Sequence, residues 1–91
     1  MKVIAKIMRL GDIQTRQGRL GEYQTQGVML QMGGDEERQS LFGTLFGQNI
    51  DVMRATGLRA GDMVETDLVF TTSERNGFVS NYVELRNVRK A

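Results

Sequence analysis

The segment SLFGTLFGQNIDVMRATGL, residues 40–58, changes its hydrophobic period half-way along its length. In its first part, Leu41 and Leu45 occupy odd-numbered positions, and Phe42 and Phe46 occupy even-numbered positions. Successive side chains of a β-strand point to opposite faces, so this alternation predicts a strand with leucines facing inward and phenylalanines facing outward.

The second part, residues 48–58, has a helical rather than a strand period. Ile50 and Met53 lie one helical turn apart. Asn49 is predicted to cap the amino end, and Gly57 to end the helix in a left-handed conformation. A helix this short is marginal by itself, so we expect tertiary packing to hold it.

Four further segments rich in β-forming residues surround this unit, separated by glycine-containing turns. Strands are predicted at residues 2–13, 23–32, 40–46, 63–71 and 78–88. The stretch 15–21 is predicted to be a turn region. Asn76 and Gly77 both tolerate positive φ and predict a tight hairpin.

The predicted order is three strands, one short helix and two strands. This order favours an all-β fold of the OB type, a five-stranded Greek-key barrel that carries its oligonucleotide surface on the second and third strands. An SH3-like or other small barrel would also hold five strands, and the helix between strands three and four is what favours the OB type. We expect residues 1–91 to form one domain, with the helix closing one end of the barrel.

The alternation within each strand predicts which residues face the core. The core is predicted to contain Leu30, Leu45, Val64, Leu68 and Val83. Phe70 and Val79 fall on the same inward parity. The first strand is apolar on both faces, with Val3, Ala5 and Ile7 opposite Ile4, Met8 and Leu10. It is therefore expected to bend across two sheets, with parts of each face covered.

Composition argues against catalysis. The chain has no cysteine and no histidine, which removes thiolate nucleophiles, imidazole bases and Cys/His zinc sites. Its acidic residues are scattered, and the run Asp35-Glu36-Glu37 is interpreted as a solvated surface that nucleic acid avoids. No enzymatic activity, cofactor or metal is expected. Lys2 and Lys6 interrupt the apolar stretch that a signal peptide needs, so a cytoplasmic location is expected.

The charge is unevenly distributed along the chain. The net charge is only +1, but basic residues concentrate towards both ends. This asymmetry fits a positive groove on a nearly neutral body. It fits an ordinary solvated surface equally well.

The sequence resembles the bacterial single-stranded-DNA-binding protein family. Residues 40–47 are similar to that family's third strand, which ends in a Leu-Phe-Gly step. Residues 58–65, LRAGDMVE, resemble its entry to strand four, and Lys2-Val3-Ile4 with the bend at Leu10-Gly11 resembles its first strand. A closer likeness, in residues 21–26, is to short OB proteins grouped only as a domain of unknown function.

Two departures from the family matter. This chain has no tryptophan, which the family carries on its binding strands, and it lacks the acidic, glycine-rich tail that recruits partner proteins. The resemblance implies sequence-tolerant binding of single-stranded DNA in replication or repair, without implying recruitment through a tail.

The residues suited to such binding are aromatic side chains for base stacking and arginines for phosphates. Tyr23, Phe42 and Phe46 are the predicted stacking platforms, on the outer faces of strands two and three. The predicted phosphate contacts are Arg16, Arg19, Arg75 and Arg86.

Three alternatives stay open at this point. The outward aromatics fit a subunit or partner interface in an OB-type interaction module, or packing under a loop, as well as a nucleic-acid site. RNA is as compatible with stacking and phosphate contacts as DNA. Because the chain is small, we expect a homodimer or a higher homo-oligomer.

Overall fold

The computed structural model describes residues 1–33 and 37–91 and has one helix and five strands in the described part. The elements are β1 (Lys2–Gly18), β2 (Gly21–Met32), β3 (Gln39–Phe46), α1 (Gln48–Thr56), β4 (Met63–Arg75) and β5 (Phe78–Lys90). Asp35 and Glu36, assigned above to a solvated surface, lie outside the described residues. No helix in the described ranges is both long enough and apolar enough to cross a membrane.

The five strands close into a barrel in the order β1-β2-β3-β5-β4. All neighbouring pairs are antiparallel except β3 and β5, which meet in parallel at Thr44 and Glu84. The helix stands between β3 and β4 in the chain. The OB-type barrel predicted from the order of the elements is therefore confirmed.

The core lies inside the barrel and beneath the helix. Leu30, Leu45, Val64 and Leu68 are buried as predicted, and Val83 is half-buried and packs against them. From α1, Ile50 and Met53 join the same cluster. The short helix is thus held by the apolar side chains that it adds to the barrel interior, as its length requires.

The amino end of α1 differs from the prediction. Gly47, not Asn49, is the N-cap residue, and no side chain caps the helix. The Asn49 side-chain oxygen accepts a hydrogen bond from the Asn87 backbone N–H at 3.1 Å. The capping prediction was wrong because β5, distant in sequence, takes the acceptor. Gly57 ends the helix at φ 67°, as predicted.

The β1–β2 hairpin turns more tightly than predicted, and the β4–β5 hairpin turns where it was predicted to. β1 continues to Gly18 and pairs there with Gly21, leaving only Arg19 and Leu20 in the turn. The turn region predicted at 15–21 is therefore mostly strand. The turn at Asn76-Gly77 is confirmed, since both residues have positive φ.

The β4–β5 hairpin extends past the barrel core, and this corrects two inward assignments. Phe70 is 59% exposed and Val79 is 65% exposed, although both continue the inward parity of their strands. Among the described residues, the contacts of β4 are with β5 and with β1, and the outer half of the hairpin is exposed. The alternation of residues along a strand shows which of its two faces a side chain lies on, but it does not show whether another part of the protein covers that face.

β1 is not covered on both sides. Ala5 and Ile7 are buried, whereas Ile4 and Met8 are exposed. β1 does bend between two neighbours, pairing first with β4 and then with β2, but its outer face stays open to solvent. Of the second apolar set, Leu10 packs against the core, whereas Ile4 and Met8 do not, so the expected cover of both sets is only partial.

A bulge in β1 changes which residues face outward. Ile7 pairs with Leu30. Arg9 pairs with Met29, the next residue on β2, so that Met8 is an extra residue in β1. A bulge of this kind re-aims the side chains that follow it. Arg9 consequently lies on the outer face, beside the exposed Met29.

Asp67 contributes to the free energy of unfolding by an amount that depends on pH. Its carboxylate accepts a hydrogen bond from the Asn87 side-chain amide at 2.9 Å, and this bond is the main reason that its pKa is lowered. A carboxyl whose pKa is lower in the folded state stabilises the fold above its unfolded pKa, and that contribution is lost as the pH falls through the folded pKa.

We therefore expect the free energy of unfolding to fall below about pH 4, where an unperturbed aspartate begins to protonate. Asp67→Asn removes this titration and should flatten the acid limb of a plot of unfolding free energy against pH. Asp51→Asn, a change of the same charge on α1, is the control for the general effect of removing one carboxylate. An equally steep limb in Asp67→Asn would contradict the assignment.

Candidate nucleic-acid interface

An open groove of about 610 Å³ runs over the outer faces of β1, β2 and β3. Its lining combines apolar rings with cationic and amide side chains. The rings are Tyr23, Phe42 and Phe46, and the cations are Arg9 and Arg16. The groove includes the outer faces of the second and third strands, where the sequence predicted a ligand surface.

The three aromatic side chains stay accessible within the groove. Tyr23 is 42% exposed, Phe46 is 38% exposed and Phe42 is 68% exposed. The Tyr23 and Phe46 ring centroids are 6.3 Å apart, with the ring planes tilted by 31°. All three side chains therefore keep a substantial part of their surface open to solvent within the groove.

Gly27 makes the position of Phe42 possible. The two residues lie on the adjacent strands β2 and β3, and a Cβ atom added to Gly27 would lie 2.5 Å from Cζ of the Phe42 ring. The ring therefore lies directly over the glycine backbone, in space that any larger residue on β2 would occupy. The absence of a side chain at this position allows an aromatic ring to rest on the sheet.

Two arginines border the aromatic rings from β1. Arg16 lies opposite Tyr23 in the β1–β2 ladder, and its Nη2 donates a hydrogen bond to the Gln14 side-chain oxygen at 2.7 Å. Arg9 enters the groove because of the bulge at Met8. Sequence reasoning missed Arg9 because strict alternation places it on the same face as the buried Ile7.

The other predicted cations do not line the groove. Arg19 is in the turn between β1 and β2, and Arg75 is at the tip of the β4–β5 hairpin. Arg86 forms an ion pair with Glu84, and the hydrogen bond between them raises the pKa of Arg86. Of the seven predicted residues, the structure brings together four: the three aromatic residues and Arg16.

Solved structures with the same architecture extend over nearly the whole chain. The protein priB from Ralstonia solanacearum has a TM-score of 0.67 at 11% identity, covering 100% of this chain and 96% of that chain. The fold is of the OB type. A small single-stranded DNA-binding protein from Streptomyces coelicolor has a TM-score of 0.50 at 13% identity, covering 100% and 92%.

These similarities are structural, since identities this low establish the fold alone. No protein-family model and no curated protein matches the sequence. The Streptomyces protein is named for the single-stranded DNA that it binds.

Proposed function

We propose that this protein binds single-stranded DNA along the groove over β1, β2 and β3, tolerating any sequence and catalysing no reaction. Bases stack on Tyr23, Phe42 and Phe46, while Arg9 and Arg16 neutralise phosphates beside them. Stacking accepts every base because each has a π-face, and arginine pairs with phosphate oxygens through its planar fork. A cytoplasmic role in DNA replication or repair follows from this binding.

The observation that carries the proposal is the joint placement of rings and cations in one groove. Three accessible aromatic side chains and two arginines, drawn from three strands, line the same concave surface. Single-strand binding surfaces combine these two elements, a positively charged path and stacking platforms. Arg19 and Arg75, at the two hairpin tips, are proposed as further phosphate contacts at the margins. Arg86 is the weakest of the predicted contacts, because Glu84 already compensates its charge.

The salt dependence of binding tests the arginine contacts. Each phosphate neutralised on a single strand contributes about 0.7 to the slope of log affinity against log salt concentration. Arg9→Ala combined with Arg16→Ala should therefore reduce that slope by about 1.4, measured by polarisation of labelled oligo(dT) over a series of salt concentrations. Arg54→Ala, on the exposed face of α1, is the matched control and should leave the slope unchanged.

Failure of the wild-type protein to bind oligo(dT) even at low salt would overturn the proposed function. An unchanged slope in the double variant would remove Arg9 and Arg16 from the phosphate path.

A second candidate function is a protein-interaction module. It is favoured by the apolar side chains that β1 and β4 expose on the outer surface, Ile4, Met8 and Met63, in addition to the aromatic rings of the groove. Exposed apolar surface is commonly covered by a partner. A homodimer or higher homo-oligomer joined through the first half of β1 and the start of β4 would cover these residues. The groove lining on β1 begins at Arg9, so association there and DNA binding are compatible.

A further inference from the structure

A carboxylate is part of the groove lining, among the arginines and the aromatic rings. Asp12 lies in a second bulge of β1. Leu10 pairs with Val28 and the next pair is Ile13 with Gln26, so Gly11 and Asp12 together oppose the single residue Gly27. The Gly11 carbonyl accepts a hydrogen bond from the Gln26 side-chain amide at 2.9 Å, which ties the bulge to β2. The bulge thus holds Asp12 at the wall of the groove.

Asp12 has no partner that would explain its presence there. Within residues 1–33 and 37–91, its carboxylate makes neither an ion pair nor a side-chain hydrogen bond, and it is exposed. Neither Arg9 nor Arg16 approaches it within ion-pair distance, although both line the same groove. A carboxylate repels phosphate, so phosphates are expected to follow the arginines and base edges to face Asp12.

A carboxylate distinguishes bases by the hydrogen-bond donors that they present. An ionised carboxylate only accepts hydrogen bonds. Cytosine presents an amino donor at the ring position where thymine presents a carbonyl acceptor, and aspartate is a recognised acceptor for that amino group. A base that presents its exocyclic amino group to Asp12 therefore gains a hydrogen bond there, whereas thymine presents an O4 acceptor at that position and can donate only from its ring N3–H.

We infer that the groove ranks the bases it accepts, favouring those with an exocyclic amino group over thymine, and that Asp12 is the selecting acceptor. This inference rests on the proposed single-strand binding and deepens it: stacking supplies affinity for every base, and Asp12 supplies a preference. One hydrogen bond at an exposed site corresponds to a preference of about 5- to 10-fold for oligo(dC) over oligo(dT).

The test compares oligo(dC) with oligo(dT), each of about 16 nucleotides, the upper end of the site size of one OB fold. Polarisation is measured at one salt concentration and at a slightly alkaline pH, where cytosine is not protonated. Wild-type protein should prefer oligo(dC). Asp12→Asn should bring the ratio of the two affinities close to one and raise the affinity for oligo(dT), because a charge that repels phosphate is removed. Glu74→Gln removes the same charge outside the groove and should keep the wild-type ratio.

Each other outcome overturns a defined part of the inference. Equal wild-type affinity for the two oligonucleotides, or tighter binding of oligo(dT), overturns the base preference and leaves the proposed function intact. A preference for oligo(dC) that survives Asp12→Asn overturns the role of Asp12. If Asp12→Asn lowers a preference for oligo(U) over oligo(dU) and leaves the dC:dT ratio unchanged, the carboxylate binds the ribose hydroxyl and not the base. Absence of binding to every oligonucleotide at low salt overturns the proposed function together with the inference.

Discussion

Replacing Phe42 and Phe46 together with alanine is expected to weaken oligo(dT) binding by at least about 30-fold, because each stacked base contributes about 1–3 kcal/mol. Both rings line the groove and both are accessible. Polarisation titrations of the double variant and the wild type at the same salt concentration measure the effect.

Two companion measurements make this result specific to stacking. Phe42→Leu with Phe46→Leu keeps apolar side chains at both positions but removes the flat π-surfaces, so it should bind almost as weakly as the alanine pair. Light scattering should show the same oligomeric state for all three proteins. If the alanine pair instead dissociates an oligomer and leaves DNA binding unchanged, the two rings form a protein interface and the interaction module becomes the better account.

Leu45→Ala should lower the free energy of unfolding by about 2–5 kcal/mol, the range for truncating a buried leucine. Leu45 has no exposed surface and sits on β3 among the core side chains of the barrel. Truncation removes its apolar contacts and leaves a cavity that the surrounding strands only partly fill. Urea unfolding followed by circular dichroism measures the difference.

Leu20→Ala is the matched control for this substitution. Leu20 is fully exposed in the turn between β1 and β2. The same chemical change there should leave the free energy of unfolding within about 0.5 kcal/mol of the wild type. A comparably small loss in Leu45→Ala would mean that the barrel interior does not enclose this residue.

Local patterns were sufficient to predict the element order and much of the candidate site. The change of period between residues 40–46 and 48–58 predicted both β3 and α1, and the alternation in β3 separated the buried Leu45 from the exposed Phe42 and Phe46. These features depend on backbone geometry that neighbouring residues decide, namely a repeat of two in a strand and of 3.6 in a helix. The left-handed end of the helix at Gly57 is local in the same sense.

Local patterns could not predict how the strands pair with one another, or which strand faces other elements cover. The bulge that turns Arg9 into the groove, and the second one that sets Gly11 and Asp12 against Gly27, are defined by how β1 pairs with β2. An extra residue has no signature in the alternation of one strand. Phe70 has the parity of a core residue, but the hairpin that carries it extends beyond any covering element. The sequence by itself determined the strands, the helix and the outward aromatic faces; only the tertiary structure decided which charges join those rings, because that depends on pairing between segments distant in the chain.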